Sequence, residues 1–231
     1  MADLRLIRSA DLVRVPWKDG GGTTAEVAVH PPGAGFDDFD WRISMADVAA
    51  DGPFSRFPGV DRTLVLAEGR DLVLDIEGDI QVLIRPGDAR SFAGEVAAGA
   101  RLHGGPVRDI NVMSRRGRFA HRVGSPATGE PLRSWAAMAV VAIAALAEGV
   151  MVTVEGRSFG LAPLDLLLAE GGLRDPGRHR AGTVDRFHRG KGVRDRGRQH
   201  RAEERPNRFR RYPTPSRPRP RLNRAHVAVL S

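Results

Sequence analysis

A four-residue phrase occurs twice in this chain, and its surroundings repeat with it. Leu66-Ala67-Glu68-Gly69 returns about 80 residues later as Leu146-Ala147-Glu148-Gly149. Each copy is followed by a short Val/Ile/Leu-rich stretch and then by an acid-Gly pair, Glu77-Gly78 in the first and Glu155-Gly156 in the second. Ile84-Arg85-Pro86-Gly87-Asp88 is matched in turn by Leu161-Ala162-Pro163-Leu164-Asp165. The shared order is strand, acid-Gly turn, strand, Pro-x-Asp turn, strand. Such a unit predicts a meander of a β-barrel or sandwich, where closure hides the strand edges. Two copies predict a duplication.

The rest of the chain agrees on class. Residues 63–66, 71–76, 80–84, 107–113 and 150–154 are short, rich in Val, Ile and Leu, and bounded by Gly, Pro or Asp, as strands are. No segment sustains the spacing of a long amphipathic helix, and residues 44–50 are the best candidate for a turn or two of helix. The class predicted is all-β with minor helix. There are no cysteines, which excludes a disulfide scaffold, a thiolate zinc site and a cysteine nucleophile, and fits a reducing compartment. The N-terminus lacks a basic segment followed by an apolar one, so no signal peptide is expected. The longest apolar run, Ala136 to Ala147, is too short for a bilayer, which needs about 20 residues.

Charge divides the chain. Residues 1–173 hold 18 Lys/Arg against 23 Asp/Glu, whereas residues 174–231 hold 18 against 5, so the net +8 belongs to the tail. That tail is poor in apolar side chains and ends near the polyproline-like Arg217-Pro218-Arg219-Pro220-Arg221. Such composition does not offset the entropy of ordering, and disorder is expected over 174–231. The domain reading is therefore a first barrel with a pocket at 1–125, an incomplete second half at 126–173, and a basic disordered tail at 174–231.

Several residues offer chemistry. In Pro16-Trp17-Lys18-Asp19-Gly20-Gly21-Gly22 the glycines permit positive φ and bring backbone N–H groups close to a ligand. A tight turn with an exposed lysine is the competing reading. Alternation in Trp41-Arg42-Ile43-Ser44 puts Arg42 and Ser44 on one face. Asp109 and Asn111 likewise share a face, either solvent or a barrel interior. Asp61-Arg62 follows the turn Pro58-Gly59, and an exposed ion pair is its plain reading. As a set, Lys18, Arg42 and Arg62 with Ser44, Asp109 and Asn111 suit a small carboxylate, which arginine grips bidentately. His30, His103 and His121 have no metal-binding spacing, so neither metal nor cofactor is expected. No G-x-S-x-G elbow supports a serine triad.

Four spaced segments carry a family resemblance. They are Pro16 to Thr23, Phe39-Asp40-Trp41-Arg42-Ile43-Ser44, Asp51 to Arg62, and Gly105-Pro106-Val107-Arg108-Asp109-Ile110-Asn111-Val112-Met113. Together they resemble the HutD/Ves family of the cupin superfamily over residues 4–172. The resemblance implies a double-stranded β-helix (cupin-like) barrel duplicated as a bicupin, with the second half truncated here. It also implies a cytoplasmic protein linked to histidine utilisation, without the usual cupin metal ligands. Its ligand would be an acidic product of histidine breakdown, of the formylglutamate or urocanate type. The ligand set carried over is Lys18, Asp19, Gly21, Gly22, Arg42, Ser44, Asp61, Arg62, Asp109 and Asn111. The family usually has Asn at the position of Asp19. It also continues with strand sequence past residue 170, where this chain turns to arginine, as a frameshift near Gly171 to Leu173 would produce.

The function expected is a non-enzymatic carboxylate-binding protein in the control of histidine utilisation, with a homodimer as a candidate assembly and no membrane partner. The rivals are an enzyme on a small organic acid using Asp109 or Asp61 as general base, and a nucleic-acid-associated protein acting through its tail. The second rival has thin support, because aromatics for base stacking are few in the tail.

Overall fold

The computed structural model describes residues 2–126, 139–171, 183–186 and 225–230. In chain order the strands of the first half are β1 (Asp3–Ile7), β2 (Arg14–Pro16), β3 (Gly22–His30), β4 (Trp41–Val48), β5 (Gly52–Pro53), β6 (Val60–Glu68), β7 (Leu72–Ile76), β8 (Asp79–Leu83), β9 (Ala89–Ala93), β10 (Ala98–Leu102), β11 (Val107–Arg115) and β12 (His121–Gly124). The later strands are β13 (Val140–Ala145), β14 (Val150–Val154), β15 (Arg157–Leu161), β16 (Leu166–Glu170), β17 (Thr183–Arg186) and β18 (Ala225–Leu230). Among the described residues the one helical piece is a 3-10 turn at Ser9–Asp11, and no helix is long and apolar enough to cross a membrane. The all-β expectation holds.

Four sheets form two sandwiches. The first pairs a six-stranded sheet, ordered β2-β3-β4-β11-β6-β9, with a four-stranded one, β5-β10-β7-β8. The second pairs β1-β16-β13-β18-β12 with β15-β14-β17. The repeat seen in the sequence is a repeat of backbone. β6 pairs with β9 and β7 with β8, just as β13 pairs with β16 and β14 with β15. Each acid-Gly turn takes left-handed φ at both residues, +52° and +88° at Glu77-Gly78, +48° and +80° at Glu155-Gly156. This is the hairpin turn whose twist suits the flanking strands. In the Pro-x-Asp turns the middle residue is left-handed, Gly87 in one copy and Leu164 at +68° in the other. Both aspartates close their turns by accepting backbone N–H groups, Asp88 from Ile84 and Arg85, Asp165 from Ala162.

Strand alternation distributes the side chains. Leu64, Leu66, Leu72, Leu74, Ala46 and Val107 fill the first sandwich, while Val141, Ile143, Val152, Leu161 and Leu167 fill the second. The largest cluster joins them: Trp41, Ile43, Val65, Ile110 and Val112 from the six-stranded sheet meet Val140, Ala142, Leu166 and Leu168. The six-stranded sheet is thus buried on both faces, which explains its long apolar strands.

Three features depart from the sequence reading. Residues 44–50 are not helical; Ser44 to Val48 continue β4, because ladders to β3 and β11 on both sides override the helix preference of Met and Ala. β1 and β12 lie within 1–125 but belong to the second sandwich's sheet. Within 174–231 two segments are strands: β17 pairs with β14, and β18 inserts between β13 and β12. Ala225-His226-Val227-Ala228-Val229-Leu230 is an apolar-rich segment with two β-formers, Val227 and Val229, that the arginine-rich average of the tail conceals. The rest of that tail, and the Gly171 to Leu173 junction beyond Gly171, lie outside the described residues.

Candidate functional site

A cavity of about 1110 Å³ opens at one end of the first sandwich. Its floor is built by three adjacent central strands. β4 contributes Arg42 and Ser44, β6 contributes Arg62, and β11 contributes Asp109, Asn111 and Met113. Register brings them together: Asn111 stands opposite Ser44, and Met113 stands opposite both Arg42 and Arg62. Continuing the alternation, the same face deeper in is apolar, with Leu64, Leu66, Ala46 and Val107. The polar floor is therefore the last turn of the pleat before the core begins.

Arg62 is buried, and its Nε–H donates to Asn111 Oδ1 at 2.6 Å. The guanidinium lies 4.7 Å from the centre of the Phe54 ring and 5.3 Å from that of Phe92. Such aromatic faces attract a desolvated cation. Asn111 in turn donates from Nδ2 to Asp109 Oδ1. The other carboxylate oxygen of Asp109 has no hydrogen-bond partner and is fully buried. Burial therefore pushes the Asp109 carboxyl up to about 7, with the nearby Asp47 adding to the rise and the Arg62 charge and the Asn111 bond opposing it. Burial lowers the pKa of Arg62, offset in part by Asp109. Arginine's intrinsic basicity is so high that it stays charged.

Arg42 forms the second cation of the floor. It pairs with Glu26 of β3 at 2.8 Å and stacks beneath Phe36 at 4.3 Å. Its Nε–H is buried without a partner. The mouth of the cavity is apolar: Val13, Val15, Phe36, Phe54 and Phe57 surround it, with Trp17 held by a 2.7 Å bond from Nε1 to Thr24 Oγ1.

Of the residues singled out in the sequence, Lys18, Asp19, Arg42, Ser44, Arg62, Asp109 and Asn111 line this one cavity. Lys18 and Asp19 are exposed at its rim. Gly21, Gly22 and Asp61 do not line it. Gly21 accepts backbone bonds from Ala49 and Ala50, and a Cβ on Gly22 would stand 2.2 Å from the Asp47 carbonyl oxygen, so both glycines serve close backbone packing. Asp61 precedes Arg62 on β6 and so points to the other face, where it lies 3.5 Å from Arg116. Glu26 and the aromatic rings were missed. Glu26 shares the Thr24 face by alternation, but a bulge between Glu26 and Ala28 breaks the pattern just beyond it. Among the described residues no group of three or more His, Asp or Glu side chains is placed to hold a metal ion. Cavities for small molecules run from about 300 to 1,000 Å³, so this one exceeds the carboxylate-sized space expected.

Comparison with known proteins agrees with this architecture. A Pseudomonas putida protein described as an uncharacterized 21.2 kDa protein in the hutC 3′ region is 37% identical over 123 residues, 53% of this chain and 64% of that protein. Protein Ves from Citrobacter koseri is 35% identical over 117 residues, 49% of this chain and 60% of its own length. The chain thus spans less than two thirds of the length of these curated relatives. A conserved protein of unknown function from Pseudomonas aeruginosa PAO1 has a crystal structure that superposes with a TM-score of 0.72 at 25% identity, covering 99% of this chain and 97% of that one. HutD from Pseudomonas fluorescens SBW25, solved in a formate condition, superposes with a TM-score of 0.71 at 24% identity over 99% and 98% of the two chains, a likeness of fold. A sequence model of the HutD family matches residues 9–182, past residue 172 where the four-motif resemblance ends. With the family pattern running through most of its length and the all-β fold shared with those structures, this chain belongs to the HutD family.

Proposed function

We propose that the chain is a non-enzymatic binding protein for a small carboxylate metabolite and acts in the control of histidine utilisation. The observation that carries this reading is Arg62. It is buried at the floor of an open cavity, oriented through Nε by Asn111, and forms no other hydrogen bond among the described residues. Its two terminal NH2 groups are thus the donors left for a carboxylate, which arginine binds in a forked, bidentate geometry. Arg42 adds the unpartnered Nε–H. The HutD name and the hutC neighbourhood of the Pseudomonas putida relative make acids of histidine breakdown, of the formylglutamate or urocanate type, the first ligands to try.

Titration calorimetry with formylglutamate and urocanate tests this. Arg62→Lys keeps the charge and loses the fork, and its affinity should fall more than tenfold, about 1.5–3 kcal/mol for a charged hydrogen bond. Absence of heat with either acid, or an unchanged affinity in a folded Arg62→Lys protein, would sink the proposal.

One observation favours a second reading. Asp109 has a free, buried oxygen on the cavity floor and a pKa raised to about 7, as suits a general base. Proton NMR of each acid incubated with the protein separates the two readings. A product that forms with wild type and not with Asp109→Asn makes the chain an enzyme.

A further inference from the structure

The charges that line the cavity nearly cancel. Two cations, Arg42 and Arg62, share its inner part with two acids, Glu26 and Asp109. Arg42 Nη1 lies 2.8 Å from Glu26 Oε2, and the Phe36 ring covers its guanidinium at 4.3 Å. Arg42 can therefore give a ligand a hydrogen bond but no net charge. Arg62 and Asp109 together carry one positive charge when Asp109 is protonated and none when it is ionised. In either state the inner cavity offers at most one unit of positive charge. At the rim, Lys18 is accompanied by Asp11 and Asp19, all three exposed. A lysine in water beside two acids makes no clamp for a second anion.

The walls are apolar where the charges are spent. Val13, Val15 and Phe36 line the mouth and are 79%, 62% and 57% exposed, three of the six large apolar side chains that stand exposed among the described residues. Val15 lies opposite Thr24 across the ladder between β2 and β3, and both line the cavity. Phe54, Phe57 and Trp17, each half-buried, complete the apolar lining. A lone carboxylate on Arg62 would leave these side chains in water. A ligand with an apolar body would cover them, which is the usual composition of a small-molecule site: apolar walls with few polar groups to fix orientation.

We infer that the ligand is a monocarboxylate with a bulky apolar or aromatic body, and that Glu26 sets this preference by neutralising Arg42. The inference rests on the carboxylate reading of Arg62 and narrows it. The carboxylate takes Arg62, and the body lies against Phe36 and Val15. A second carboxylate would enter the cavity without a free cation, and an unpaired charge taken out of water is costly. Of the two acids to be tried, urocanate has a single carboxylate and a ring and fits the class. Formylglutamate has two carboxylates and no ring and does not.

Calorimetry on the full chain with cinnamate, propionate and glutarate tests the inference. Cinnamate should bind about tenfold or more tighter than either of the others, from burial of its ring. Phe36→Ala should weaken cinnamate about tenfold and leave propionate unchanged. Val15→Ser, at an exposed position, should act in the same direction, so the result does not hang on one variant's folding. Glu26→Gln frees the charge of Arg42 and should raise glutarate affinity about tenfold, with cinnamate changed less. Glutarate as tight as cinnamate in wild type, with both weakened by Arg62→Lys, would overturn the monocarboxylate class while leaving Arg62 as a carboxylate site. So would a Phe36→Ala protein that loses cinnamate and propionate alike, or a Glu26→Gln protein with unchanged glutarate affinity. No heat from any of the three acids, or affinities indifferent to Arg62→Lys, would instead remove the carboxylate site and this inference with it.

Discussion

Replacing Asp109 by Asn should change how stability depends on pH, and the size of the change follows from one unpaired oxygen. Asp109 Oδ2 is buried without a partner, so the native state holds the proton up to about pH 7, whereas the unfolded chain releases it near 3.8. The native state therefore binds more protons through this interval. A raised carboxyl lends stability in full below the unfolded value and loses it as pH rises through the folded one. At about 1.4 kcal/mol per pH unit, wild type should lose roughly 2.5 kcal/mol from this group between pH 5 and pH 8. His121 acts in the opposite sense. Burial lowers its pKa, so its contribution rises as pH climbs toward its ordinary 6.5 and is constant above that. Asn keeps the bond from Asn111 and cannot titrate. Urea melts at pH 5, 6, 7 and 8 should thus show wild type falling, and Asp109→Asn flat or slightly rising. At pH 5 the two proteins should be nearly equal, and at pH 8 the variant should be the more stable. Parallel profiles across this range would mean that Asp109 is already ionised at pH 5, and the argument from its unpaired oxygen would fail.

Three further outcomes are expected. Gly22→Ala places a methyl 2.2 Å from the Asp47 carbonyl and 3.1 Å from the Trp17 ring, so it should destabilise by about 1–3 kcal/mol and disturb the cavity mouth; an unchanged melting temperature would show the backbone yielding freely. Asp165→Ala removes the acceptor of Arg8 Nη1 at 2.6 Å and of the Ser9 and Ala162 N–H groups at 3.0 Å each, an expected loss of about 2–4 kcal/mol by thermal or urea melts. Burial pushes the Asp165 carboxyl up, but those bonds outweigh it and hold the pKa below 3.8, so wild type should lose this advantage as pH falls below 4 and the two melting curves should converge there. Dialysis against a chelator should leave melting temperature and ligand affinity unchanged, and stoichiometric metal by elemental analysis, lost together with stability, would contradict that.

The repeat was legible because its turns demand particular residues at particular places. Glu77-Gly78 and Glu155-Gly156 declare left-handed turns locally, and the aspartates at 88 and 165 close theirs with their own side chains. Period-two alternation likewise aligned Arg42 with Ser44 and Asp109 with Asn111 without any knowledge of the sheet. The same rule separates Asp61 from its neighbour Arg62, though proximity in sequence had grouped them. Gly21 and Gly22 were illegible because backbone packed against backbone leaves the same signature as backbone approaching a ligand. Burial of the six-stranded sheet on both faces turned Ser44 to Val48 into strand against their propensity, a tertiary effect that no local pattern records. β18 was hidden by averaging, since six apolar-rich residues vanish within a tail of arginines.

The ladder between β1 and β16 sets Asp3 against Glu170 and Ile7 against Leu166. β1 is thus completed by a strand made about 160 residues later. At about 5–20 residues per second of synthesis, the N-terminal strand waits roughly ten to thirty seconds for its partner to leave the ribosome. Leu4 and Leu6, which pack into the second core, must remain in contact with solvent or with a chaperone throughout that interval. All strands of the first sandwich lie within residues 14–115, so it is free to close while translation continues. Folding of the second instead waits for β16 and β18 to be made, and its rate should respond to translation speed and to holdase chaperones more than to any substitution within the ligand cavity.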